Sequence, residues 1–105
     1  MSEVQVTPWT GKSAPSRDEL LAKFAEEGIT PYTWGNPPGD RYAPHTHPYH
    51  KIIYVVRGSV TFELPEAEKK VEIKIGDRLD LPSGILHEAL VGPEGVECLE
   101  GRRWA

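Results

Sequence analysis

The stretch from Tyr42 to Lys51, YAPHTHPYHK, holds three of the chain's four histidines: His45, His47 and His50. Imidazole is the commonest protein ligand for transition metals and the side chain best suited to proton traffic near neutral pH. Residues two apart on an extended segment face the same way, so His45 and His47 offer two nitrogens at a spacing able to chelate one ion. Surface turns beside prolines produce such pairs as well, so a centre here needs a distant partner. His87 supplies it. It follows LPSGIL, in which Pro82 and Gly84 make a turn that feeds a strand from Ile85 to Val91.

The elements that must position these residues belong to a chain of 105 residues, the size of one domain. The lone Cys98 can form no internal disulfide; it reads as a small buried apolar residue and points to no oxidising compartment. The N-terminus lacks a basic start followed by an apolar run, and no stretch approaches the ~20 apolar residues of a membrane span. A cytoplasmic protein without a membrane partner is expected. Twelve Lys and Arg against sixteen Asp and Glu give a net charge of −4, with no basic stripe, which argues against nucleic acid as a partner.

Residues 1–30 read as an extension carrying a short helix, and 31–105 as a β-barrel. The first dozen residues are irregular. Ser16 then precedes Glu19 by three, the capping-box spacing, and Leu21, Phe24 and Ala25 form one apolar stripe that Gly28 ends. Asp18, Glu19, Glu26 and Glu27 read as solvent-facing charges. Beyond Pro31 come short runs rich in β-branched residues: KIIYVVR, SVTFEL with Val60, Phe62 and Leu64 on one face, KVEIKI, RLDLP, ILHEALV and VECLEGRRW. Gly58 and Ser59 read as the tight turn of a hairpin joining the first two. KIIYVVR is apolar on both faces, which leaves Ile52, Tyr54 and Val56 for the helix or for a second subunit; a homodimer is expected on that ground.

The chain resembles a small single-domain cupin. That family's first motif, G-x5-H-x-H-x3-4-E-x6-G, falls on Gly39, His45, His47 and Gly58, and its second, G-x5-P-x-G-x2-H-x3-N, on Gly76, Pro82, Gly84 and His87. The resemblance implies an all-β fold, the cupin-type double-stranded β-helix or jelly-roll barrel, here with a short N-terminal helix. It also implies one divalent transition metal ion, Zn, Ni, Fe, Mn or Cu, of which imidazoles suit Zn, Cu, Fe and Ni. Two positions depart: Lys51 stands at the motif's glutamate and Val91 at its asparagine. A protonated amine cannot ligate a cation.

His50 is the obvious substitute, but regular alternation sends it to the face opposite His45 and His47. Pro48 keeps both parities open, because a bulge there would reverse the alternation downstream. In the regular case Lys51 points inward beside three histidines; in the bulged case His50 completes four ligands. The metal candidates are therefore His45, His47, His87 and His50, with Tyr49 and Lys51 placed to contact a ligand. The resemblance implies oxygenase, isomerase or lyase chemistry on a small organic molecule. The alternative is a non-enzymatic cupin that binds a small ligand such as a sugar, in a sensing or storage role, its histidines donating hydrogen bonds instead of chelating. The aromatics Trp34, Tyr42, Tyr54 and Phe62 read as core or contact residues.

Overall fold

A computed structural model describes residues 3–104. Two long antiparallel strands form its spine: β4, His50–Leu64, and β7, His87–Arg103. The N-terminal half of β4 and the C-terminal half of β7 share one sheet with β1 (Gln5–Thr7), β2 (Tyr32–Asn36) and β6 (Arg78–Leu81), in the order β1-β6-β4-β7-β2. The other halves pair with β5 (Lys69–Lys74) and β3 (Arg41–His45). Two sheets that share their longest strands close on one core, the jelly-roll arrangement. This is an all-β cupin-type fold with one short helix, α1 (Arg17–Glu26). Among the described residues, no helix is long and apolar enough to cross a membrane.

Three local expectations are corrected. Gly58 and Ser59 do not turn a hairpin: β4 runs straight through them, with register shifts between Val55 and Arg57 and between Gly58 and Val60. Gly58 has φ 78°, and a Cβ there would lie 2.0 Å from the carbonyl oxygen of Gly95, so glycine permits a bulge where β4 and β7 approach closely. ILHEALV and VECLEGRRW are likewise halves of one strand, which starts at His87 and not at Ile85. Within the first dozen residues, read as irregular, β1 pairs with β6 through Val6 and Leu79.

Alternation sorts the spine into two apolar layers. Ile53, Val55, Val60, Phe62 and Leu64 point into the cup with Ile73, Leu79, Leu81 and Cys98. Ile52, Tyr54 and Leu99 point outward and are covered by Leu20 and Phe24 of α1, with the Phe24 and Tyr54 rings edge to face at 5.3 Å. The helix thus covers this part of the outer face. Its stripe is Leu20 and Phe24, one turn apart, flanked by Leu21, while Ala25 is exposed. The Ser16 hydroxyl accepts from the Glu19 amide at 3.1 Å and Glu19 accepts from the Ser16 amide at 3.0 Å, closing the capping box. Gly28, at φ 70°, ends the helix. Glu27 is no free surface charge; it pairs with Arg78 and, at 2.7 Å, with Arg103.

Candidate metal centre and ligand pocket

His45 ends β3 directly opposite His87, the first residue of β7. His47 lies beyond β3, in the link to β4, so the two-residue spacing does not act through a continuous strand. What holds that link is the turn before β7, where the Gly84 amide donates to the His47 carbonyl oxygen at 2.9 Å with Gly84 at φ 79°. The turn from Pro82 to Gly84 thereby fixes both the second and the third imidazole. One nitrogen from each of His45, His47 and His87 lies within 4.8 Å of the others.

The hydrogen bonds select one tautomer for all three rings. Nδ1 of His45 donates to the Ala43 carbonyl oxygen at 2.6 Å, and Nδ1 of His87 to that of Ile85 at 2.9 Å. In His47, Nε2 faces Lys51 Nζ at 3.1 Å and accepts from it, which places the ring proton on Nδ1, 3.1 Å from the Tyr49 hydroxyl. Every Nε2 therefore carries a lone pair. His87 Nε2 is buried and has no hydrogen-bond partner among the described residues. Burial, helped by the positive charges of Lys51 and the neighbouring imidazoles, pulls the His47 pKa down to about 4, and burial lowers that of His87. Neutral imidazole is the ligating form. The donor set fits a transition metal ion, with one obstacle: His47 offers its Nε2 only when Lys51 withdraws.

Lys51 has somewhere to go. Its amine, whose pKa is lowered by burial against the opposing pull of Glu100, stands 3.5 Å from Oε1 of that carboxylate. Glu100 is 2% exposed, and its oxygens accept from Trp34 Nε1 at 2.9 Å and from the Tyr32 hydroxyl. Sequence reading missed this carboxylate, although it stands two residues after inward Cys98 and four after inward Val96. These groups line a cavity of about 290 Å³ together with His45, His47 and His87. Tyr49 and Lys51 both line it, as do Trp34, Tyr42 and Phe62; Tyr54 instead packs under the helix.

His50 is not brought to the cluster. From His50 to Val55 the strand alternates without a bulge, so Lys51, Ile53 and Val55 face inward while His50 faces out, its Nε2 2.9 Å from Asp80 Oδ1. It belongs to a separate open depression of about 660 Å³ bordered by Tyr54, Arg78 and Asp80.

The family of AraC-like ligand binding domains matches residues 28–100. The chain belongs to that family. This AraC-like domain is a small cupin, and solved structures share its fold. A DUF861 family protein from Thermotoga maritima aligns over 96% of this chain and 100% of its own, at 20% identity and TM-score 0.66. A cupin superfamily protein from Desulfitobacterium hafniense aligns over 98% of this chain and 79% of its own, at 10% identity and TM-score 0.64. The DMSP lyase DddQ from Ruegeria pomeroyi aligns over 71% of this chain and 38% of its own, at 25% identity and TM-score 0.64. No curated protein matches the AraC-like domain in sequence.

Proposed function

We propose that the domain holds one divalent transition metal ion on His45, His47 and His87 and receives a small organic molecule in the adjoining cavity. The observation that carries this reading is the buried Nε2 of His87, without a hydrogen-bond partner among the described residues and close to two further imidazole nitrogens. Leaving a buried acceptor unsatisfied costs roughly 1–3 kcal/mol, and an ion would offset that cost. The carbonyl oxygens of Ala43 and Ile85 supply the outer support that orients ligating histidines.

When bound, such an ion supplies a Lewis acid with positions open to a substrate oxygen. The chain's own groups would do the rest. Lys51, released from His47, presents an ammonium to a ligand oxygen, Glu100 holds that ammonium in place, and the aromatic wall excludes water. Chemistry of the oxygenase, isomerase or lyase type is the enzymatic form of this reading. A second form is favoured by one contact, that of Lys51 Nζ with His47 Nε2: here the histidines serve as hydrogen-bonding groups for a small ligand and no ion is needed.

Metal analysis of protein purified without an affinity tag separates the two. The first form expects close to one equivalent of ion, lost on replacing His87. Less than about a tenth of an equivalent, not recovered on reloading, sinks it and leaves the second.

A further inference from the structure

We propose that the cavity is built for a small planar organic carboxylate, an aromatic acid of one ring, with its anionic end on Lys51 and Arg102. This rests on the reading that the cavity is a ligand site, and it holds whether or not an ion sits on the histidines.

Charge carries the first half of the argument. Lys51, Glu100 and Arg102 line the cavity, and no second carboxylate joins them among the described residues. Glu100 is committed to Trp34 and Tyr32, so its single negative charge faces two positive ones: Lys51 Nζ at 3.5 Å from Oε1 and Arg102 Nε at 3.5 Å from Oε2. Both distances exceed a direct hydrogen bond, which leaves ammonium and guanidinium protons free for another acceptor. With neutral imidazoles, the formal sum is two cations less one anion, a surplus of one positive charge, in a chain whose net charge is −4. A concave, low-dielectric wall with such a surplus concentrates anions.

Shape carries the second half. Arg102 is held in the cavity wall between two rings, its guanidinium carbon 4.4 Å from the centre of the Tyr49 ring and 5.1 Å from that of Tyr32, and its Nη2 donates to the Tyr32 hydroxyl at 2.8 Å. The planar fork of a guanidinium matches a carboxylate better than it matches a hydroxyl. Behind it, Trp34 and Tyr42 meet edge to face at 5.9 Å, and Phe62 adds a third aromatic surface. A cavity of about 290 Å³ lies at the lower limit for ligand sites and suits one ring. A ligand carboxylate also delivers the anionic oxygen that Lys51, at the position of the motif's glutamate, does not.

The test is calorimetric titration of the untagged chain, metal-stripped and zinc-loaded in parallel, with benzoate, benzamide, acetate and arabinose. Benzoate should bind one to one to the stripped protein, at least about tenfold more tightly than benzamide or acetate, as expected for a charge-assisted pair beside an aromatic wall. Arg102→Gln should weaken benzoate about tenfold and leave benzamide unchanged, while Arg57→Gln, the same charge change at an exposed site, should have no effect. Benzamide or arabinose binding as tightly as benzoate overturns the proposal. So does benzoate affinity that survives both Arg102→Gln and Lys51→Met, or acetate that equals benzoate. Zinc uptake in the same preparations reports on the metal separately: benzoate selectivity without zinc uptake sinks only the metal reading, and zinc uptake without selectivity sinks only this one.

Discussion

Lys51 Nζ lies 3.1 Å from Nε2 of His47, so the ammonium occupies the lone pair that a metal would use. Replacing Lys51 by Met should therefore act in two opposite directions. Zinc affinity, measured against a chromophoric chelator, should rise at least about tenfold as a competing cation and donor disappears. Stability of the metal-free protein should fall by roughly 3 kcal/mol, because buried Glu100 loses a partner. Unchanged zinc affinity would mean that the lysine does not compete.

His50 and His87 should separate cleanly. His87→Gln removes the Nε2 that has no partner among the described residues and should abolish stoichiometric metal uptake, whereas His50→Gln should leave metal content untouched. The second variant loses the Asp80 contact on the outer face and should cost on the order of 1 kcal/mol in urea melts. Loss of metal on replacing His50 would contradict the geometry.

Acid sensitivity should trace to Arg78. Its hydrogen bonds and charge hold the Glu27 carboxyl below the usual range; burial pushes Asp80 up, but hydrogen bonds from Arg78 and His50 outweigh it and bring Asp80 down as well. A carboxylate with a depressed folded pKa contributes stability above its unfolded value, near pH 4, and loses it as pH falls through the folded value. Arg78→Met should thus cost roughly 1–3 kcal/mol at pH 7, and the gap to the unmodified protein should shrink toward zero at low pH. A gap independent of pH would place the effect in packing instead.

Gly101 sits under the helix with no room to spare: a Cβ there would lie 2.5 Å from Phe24 Cε1 and 2.6 Å from Ile29 Cγ2. Gly101→Ala should destabilise by about 1–3 kcal/mol through overpacking. Phe24→Leu makes room, so the double variant should lose less than the sum of the two single ones. Strict additivity in thermal melts would show that the contact is relieved elsewhere.

The parts legible in the sequence were those with local causes. The capping box, the end of α1 at Gly28 and the turn from Pro82 to Gly84 each follow from residues within a few positions of one another. The long strands were not legible, because glycine at positive φ serves a turn and a bulge equally well; at Gly58 the choice was made by Gly95, far along the chain. Glu100 was hidden for a similar reason. A carboxylate between Leu99 and Gly101 reads as exposed until Trp34, Tyr32 and Lys51 are brought to it, although its parity with Val96 and Cys98 pointed inward. The parity at Lys51 was undecidable locally, and pairing to β6, with Ile52 opposite Asp80, resolves it.

The apolar layer beneath α1 is a cluster distinct from the one that fills the cup, the two lying on opposite faces of shared strands. Amide protons of the helix should accordingly exchange with deuterium through a partial opening that costs less than global unfolding, while those of Ile53 and Val55 wait for the whole molecule to open. The latch on the outside can come undone without spilling the cup.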